Sequence, residues 1–170
     1  MAVILLRHTE PNIAPGTCYG QTDLDLVAGF PEHAATVIRA LPAIDHIVSS
    51  PLQRCHKLAE FIATNRDLSV QLDPRLMEMD FGRWERQPWN DVPRVELEAW
   101  ASDFLHARPH EGESIAVLRA RVLAALAEAS TKHTTLVVTH AGVIRAALST
   151  GDTAAHFDTK IEFGGMVFLP

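Results

Sequence analysis

The sequence predicts an α/β fold: a three-layer sandwich with a mostly parallel central sheet and helices on both faces. Three observations lead there. Short, continuous apolar runs at residues 2–6, 46–49 and 135–139 suit strands covered on both faces, where no polar side need alternate with an apolar one. Each run is followed by a helix or by a loop leading to one. The segments between them repeat apolar residues every three or four positions, the period of an amphipathic helix. Strands alternating with helices imply parallel pairing through crossovers.

Taken in order, the chain opens on AVILL and then delivers RHTE without a break. Residues 32–41 read as a short helix, and 46–49 as the second strand. Over residues 51–65, Leu52, Cys55, Leu58, Ala59 and Ile62 share one face, with Ser50 expected as cap and Pro51 in the first turn. Between residues 80 and 108 the pattern breaks, and Trp84, Trp89 and Trp100 stand with Pro88 and Pro93 in a polar setting. That stretch is expected to form an insertion or lid over the sheet. Residues 114–130 carry Ile115, Leu118, Val122, Leu126 and Ala129 at helical spacing, and 143–149 read as a shorter helix. Residues 163–169 are expected to close the sheet, with Gly164 and Gly165 marking a bulge or a close backbone approach.

At 170 residues the chain fits a single domain spanning residues 1–170. Hydrophobic residues make up 47% and charged residues 21%, enough apolar material for an ordinary core. A formal charge of −6 gives no general attraction to nucleic acid or to an anionic membrane, so any anion site must be local. The cations are mostly arginine: Lys57, Lys132 and Lys160 are the only lysines. No apolar run approaches the roughly 20 residues that span a bilayer. The N-terminus lacks the pattern of a secretory leader, and a cytoplasmic location is expected. Cys18 and Cys55, without metal-ligand spacing, are expected to be reduced thiols, and no metal site is suggested.

Ligands of open α/β sheets bind outside the carboxyl ends of the strands. The first run ends at Arg7 and His8, the second at Ser49 and Ser50 just before Arg54, and the third at His140. A neutral imidazole is a nucleophile able to form a covalent intermediate. Two guanidiniums can hold a phosphoryl group through paired hydrogen bonds. Positioning and charge stabilisation are most of what phosphoryl transfer needs, so such a cage could work without a metal. The helix after Pro51 would add its positive end if it points inward. A proton donor for the leaving oxygen is still required, and LMEMDFGRWE offers Glu78, Asp80 and Glu85.

RHTE, SSPLQRC at residues 49–55, LMEMDFGRWE at 76–85 and THAGVIR at 139–145 resemble, in this order, the histidine phosphatase superfamily, also called phosphoglycerate mutase-like. CYGQTDLDL at 18–26 and GES at 112–114 are similar to its α-ribazole phosphatase branch, which serves cobalamin nucleotide-loop assembly. The resemblance implies a phosphoglycerate mutase-like fold without cofactor. It makes His8 the nucleophile that becomes a phosphohistidine, and Arg7 and Arg54 phosphate-binding residues. Glu78 corresponds to the acid that protonates the leaving oxygen and later activates water. His140 corresponds to the second histidine, which stabilises the charge in transfer, and the amide of Ala141 is expected to face the phosphate.

Three positions depart from the family pattern. Thr9 follows the nucleophile where glycine is usual, Ala14 stands where many members have asparagine, and Arg86 replaces the glycine after Trp-Glu. Thr9, Gln21 and Thr22 are therefore candidates for substrate contacts, Gln21 or Thr22 in place of the asparagine. Trp84, with Phe81 and Trp89, either stacks on a flat substrate group or packs the insertion onto the sheet. Glu113 and Ser114 either reach the pocket or begin a helix.

The expected activity is a metal-independent phosphomonoesterase acting on a small phosphorylated metabolite, α-ribazole 5'-phosphate or another small ester. The alternatives are phosphoglycerate mutase-type transfer and a noncatalytic phosphate-binding regulator. Mutases of the superfamily are typically longer, with extra segments that shield the phosphoryl group from water. Monomer and homodimer are both compatible with the sequence.

Overall fold

A computed structural model describes residues 2–129 and 133–169. Five strands, β1 (Val3–Arg7), β2 (His46–Ser49), β3 (Val70–Leu72), β4 (Thr135–Thr139) and β5 (Met166–Leu169), form one sheet in the order β3-β2-β4-β1-β5. The pairs β1–β4, β4–β2 and β2–β3 are parallel, and β5 runs antiparallel beside β1. Helices α1 (Phe30–Ala40) and α2 (Gln53–Arg66) cover one face; α4 (Ile115–Ala129) and α5 (Ala141–Leu148) cover the other. A further helix, α3 (Arg94–Ser102), lies in the segment expected as an insertion.

Alternation along the strands explains why their sequences are apolar throughout. Ile4, Leu6, Leu136 and Val138 meet Ala34, Val37, Cys55, Leu58 and Ile62. Val3, Leu5 and Val137 meet Ile115, Leu118, Val122, Val143 and Ile144 on the opposite face. Both sides of β1, as far as Leu6, and of β4 are buried, so neither strand turns a face to solvent. Each such side chain contributes about 1.5–3 kcal/mol when taken out of water. Truncating Leu5, fully buried between β4 and β5, to alanine would cost about 2–5 kcal/mol.

Several elements differ from expectation. Helix α2 begins at Gln53, not Pro51, because the Gln53 amide donates to the Asp23 carboxylate (2.8 Å), with Leu52 as the residue before the first turn. One amide at that end of the helix is thus taken by Asp23. Ser50 instead accepts weakly from the Leu52 amide (3.3 Å) and bonds to His140. Strand β3, only Val-Gln-Leu, carried too short a pattern to stand out. The last strand is shorter than expected because Gly164, at φ +72, turns the chain; its amide bonds to the carbonyls of Arg7 and His8, the close approach its glycines signalled. The predicted end of the α4 segment, Ser130, lies outside the described residues.

Residues 81–104 bring their own apolar cluster. Trp84, Cys18 and Val92 are buried together, with Phe81, Trp89, Leu97 and Trp100 packed against them. Among the described residues no helix is long and apolar enough to cross a membrane.

Candidate active site

Register places the chemistry. Arg7 pairs with Thr139 and Ser49 with Val138, so the carboxyl ends of β1, β4 and β2 lie side by side. The residues that follow, His8, His140 and Ser50, meet there. His8 is 1% exposed, and its ring lies 5.2 Å from that of His140, edge to face. The His8 Nδ1 is 2.7 Å from the carbonyl oxygen of Thr9. A carbonyl only accepts, so Nδ1 carries the proton and Nε2 keeps its lone pair. Burial, then the nearby Arg54, with a smaller push from Arg7, lowers the His8 pKa from 6.5 to about 3 against the opposing Thr9 bond. The ring is a neutral nucleophile at neutral pH.

The two arginines are fixed by backbone carbonyls. Arg54 is fully buried and donates through Nη1 to the Thr22 carbonyl (2.8 Å) and through Nη2 to that of Gly20 (2.5 Å). Its guanidinium sits 5.2 Å from the centre of the Tyr19 ring. Arg7 donates through Nη1 to the Ile161 carbonyl (2.6 Å) and stacks 3.9 Å over the Phe163 ring. The Nε–H of each is buried without an acceptor. Burying a guanidinium without a counterion costs several kcal/mol, and an orphaned donor adds to that cost. Both are relieved by an anion, which is what the arrangement can bind.

His140 is fully buried, with Nε2 at 2.8 Å from Ser50 Oγ and 3.4 Å from Cys55 Sγ. Burial, followed by Arg54 and His8, holds its pKa well below 6.5. Cys55 donates its thiol proton to the Thr139 carbonyl (3.3 Å), and burial pushes its pKa up, so it packs against His140 as an inert thiol.

Of three carboxylates offered by the sequence, only Glu78 lines the cavity. Its Oε1 accepts from the Met79 amide (2.9 Å) and its Oε2 from the Gly142 amide (3.0 Å) at the start of α5. A Cβ on Gly142 would fall 2.2 Å from Glu78 Oε1, so glycine is required for this approach. Arg121 braces the segment from outside, donating to the carbonyls of Arg75, Met77 and Glu78 while gripping Glu113 through two nitrogens. Asp80 accepts from the Gly82 amide (2.8 Å), and Glu85 is occupied by the loop at residues 20–22. Glu113 is thus a brace, and Ser114 accepts from the Val117 amide (3.2 Å) as the cap of α4; neither is among the cavity's lining residues.

The cavity at the cage has a volume of about 400 Å³. Its polar lining is Arg7, His8, Thr17, Tyr19, Glu78, Arg145 and Asp158, with Ala141 and Gly142 at the start of α5; Phe81, Trp89, Trp100, Phe104 and Phe157 line it too, whereas Arg54 and His140, both fully buried, are not among its lining residues. A larger surface groove of about 710 Å³ between Phe30 and Phe61 shares none of these residues and holds no comparable set.

Several sequence-based candidates are placed elsewhere. Trp84, a candidate either for substrate stacking or for packing, is 1% exposed and donates its indole N–H to Glu96 (2.7 Å), so it packs within the insertion's own cluster beside Cys18 and Val92. Gln21 donates to the Glu78 carbonyl (3.3 Å), and Thr22 Oγ1 donates to Glu85 (2.5 Å); both organise the site without lining the cavity. Thr9 is buried with its hydroxyl unpartnered and is also absent from the lining. Ala14 is exposed, whereas Thr17 and Tyr19 line the cavity wall nearby. Arg86 has φ +66, the left-handed conformation for which glycine is suited. Sequence reasoning missed Tyr19, Trp100, Phe104 and Phe157, which lie far apart along the chain. It also passed over Arg145, whose signal was its place in THAGVIR.

Among the described residues no group of three or more His, Cys, Asp or Glu side chains is gathered to hold a metal ion. The family model described as Histidine phosphatase superfamily (branch 1) matches residues 3–159. An adenosylcobalamin/alpha-ribazole phosphatase of Escherichia coli (strain K12) is 34% identical over 154 residues, covering 85% of this chain and 75% of the relative. Phosphoserine phosphatase 1 of Hydrogenobacter thermophilus is 32% identical over 157 residues, covering 85% and 72%. The crystal structure of an alpha-ribazole phosphatase from Shigella flexneri superposes with a TM-score of 0.85 at 27% identity, over 100% of this chain and 90% of that one.

Proposed function

This chain belongs to the histidine phosphatase superfamily, branch 1, and on that premise we propose that it is a metal-independent phosphomonoesterase working through a phosphohistidine on His8. The observation that carries the reading is a buried, neutral imidazole with a free Nε2, set beside the buried guanidinium of Arg54 and the half-buried one of Arg7, each with a buried, orphaned Nε–H.

The phosphoryl group of the ester sits against Arg7 and Arg54, with His140 beside it. The Nε2 lone pair of His8 attacks phosphorus, and the N–P bond forms as the ester P–O bond breaks. Glu78 acts as the general acid, giving a proton to the leaving oxygen as that bond breaks. Water then enters; the Glu78 carboxylate takes its proton, the new P–O bond forms, the N–P bond breaks, and inorganic phosphate leaves. His140 stabilises the equatorial oxygens, its low pKa rising once the dianion is bound.

For the leaving group we propose a flat, largely apolar one, with α-ribazole 5'-phosphate as the natural substrate and the cytoplasm as its place of action. Six aromatic rings, Tyr19, Phe81, Trp89, Trp100, Phe104 and Phe157, line the cavity, a surface suited to a benzimidazole. The relatives named alpha-ribazole phosphatase support the same choice. Arg145 on the rim favours a second reading, a carboxylate-bearing ester such as phosphoserine or 3-phosphoglycerate. Asp158 lines the same cavity and would oppose such a carboxylate.

The test is phosphate release in excess chelator from α-ribazole 5'-phosphate, phosphoserine, 3-phosphoglycerate and p-nitrophenyl phosphate. His8→Ala serves as the control. A His8-dependent preference for α-ribazole 5'-phosphate is expected; preference for the carboxylate esters would move the assignment to the second reading, and conversion of 3-phosphoglycerate to its 2-isomer would make the enzyme a mutase.

A further inference from the structure

Glu85 lies outside the cage, yet its carboxylate is among the most heavily hydrogen-bonded groups near it. Oε2 accepts from the amides of Gly20 (2.9 Å) and Thr22 (3.3 Å) and from the Thr22 hydroxyl (2.5 Å). Oε1 accepts from the amides of Gln21 (2.9 Å) and Phe81 (3.3 Å). Three consecutive amides of residues 20–22 thus converge on one side chain. A Cβ on Gly20 would meet the Met79 carbonyl at 1.8 Å and Glu85 Oε1 at 2.8 Å, so only glycine lets the loop come this close.

The carbonyls of that same loop hold Arg54. Gly20 and Thr22 accept from Nη2 and Nη1, and among the described residues the Arg54 guanidinium makes no other hydrogen bond. With its amides bound to Glu85, the loop has its carbonyls turned the other way, toward Arg54. Among the described residues Arg54 has no carboxylate partner to set its orientation. It is a fully buried cation on α2, and the loop is what aims it.

We propose that Glu85 is a positioning residue for phosphate binding: it fixes the Gly20–Thr22 loop, whose carbonyls in turn orient Arg54 toward the phosphoryl group. The inference rests on the phosphatase reading above. It predicts a kinetic signature distinct from that of Glu78. Arg54 acts on the phosphoryl group whatever is attached to it, so disturbing Glu85 harms all esters alike. Disturbing the proton donor harms poor leaving groups most.

The experiment measures competitive inhibition by inorganic phosphate, and kcat/KM for p-nitrophenyl phosphate and a simple alkyl phosphate, in wild type, Glu85→Gln, Arg54→Ala and the double variant. Glu85→Gln is expected to raise the phosphate Ki about tenfold and to lower kcat/KM roughly 100-fold on both esters, the scale of a displacement of about 1 Å in a catalytic group. In the Arg54→Ala background the same change is expected to add less than about twofold, since residues acting through one another are not additive. An unchanged Ki in Glu85→Gln, full additivity with Arg54→Ala, or a loss confined to the alkyl ester would each overturn the inference. If Arg54→Ala itself leaves the Ki unchanged, the phosphate-cage reading fails and takes the inference with it. Should Glu85→Gln not fold, Thr22→Val removes one hydrogen bond to Glu85 and keeps the backbone. It should shift the Ki in the same direction, and an unchanged Ki there counts against the proposal.

Discussion

Lowering the pH should unfold this protein in a way that reports directly on His8. Its folded pKa, about 3, lies below the ordinary 6.5, with burial as the main cause and Arg54 the next. The sign follows from that order. The unfolded chain binds a proton at His8 as pH drops through 6.5 and the folded chain does not, so stability is intact above 6.5 and is lost on going down toward 3. Within that window one such histidine removes about 1.4 kcal/mol per pH unit. His140, held well below 6.5 chiefly by burial, adds a second slope of the same sign. In wild type His8 should therefore contribute a loss of about 1.4 kcal/mol per unit between about pH 5.5 and 4.5, on top of what His140, His110, Glu96 and Glu128, all lowered in the fold, contribute. His8→Ala should lack that share, so its slope should be shallower by about 1.4 kcal/mol per unit. Urea unfolding at three pH values in this interval measures both slopes. The intercepts will differ, because removing a buried ring leaves a cavity, but only the slopes matter. Equal slopes would mean that His8 is not held neutral by the fold, and the account of the nucleophile would be wrong.

Other consequences can be checked more briefly. Glu78→Gln should lower kcat about 10²–10⁴-fold on alkyl phosphates and much less on activated aryl phosphates in the first chemical step, read by the burst of aryl alcohol; equal losses would remove Glu78 as the acid. Gly142→Ala places a Cβ 2.2 Å from Glu78 Oε1, so activity should fall although alanine is favoured in a helix by about 1 kcal/mol; unchanged kcat would show that Glu78 does not need this seat. Trp84→Phe should cost about 1–3 kcal/mol through the lost bond to Glu96 and leave KM within about twofold; a large KM change would return Trp84 to the substrate site.

Much of this was legible from the chain, for physical reasons that also mark where legibility stops. The runs at β1, β2 and β4 are apolar because both faces are covered, and their ends carry Arg7, His8, Ser50 and His140 because parallel register aligns those ends. Strand β3 is three residues long and was invisible. Helix α3 was hidden because none of its residues is buried, which leaves little periodic signal. Which of Glu78, Asp80 and Glu85 faces the cavity depended on bonds to Gly142, Gly82 and residues 20–22, contacts that spacing does not encode. The aromatic wall draws on Phe81 through Phe157, and no local pattern joins residues so far apart. For Trp84 the sequence allowed both stacking on substrate and packing, since a tryptophan in a polar stretch suits either; here it belongs to the apolar cluster of that stretch.

The most direct test of the central claim is to trap the covalent intermediate. Glu78 serves both steps, so Glu78→Gln given a phosphorus-labelled activated aryl phosphate and quenched rapidly should accumulate label on the protein. That label should be stable to base, labile to acid, and confined to the peptide that carries His8. The His8→Ala protein should hold none. Turnover by the wild-type protein with no labelled intermediate in either form, or label carried on another residue, would contradict the mechanism.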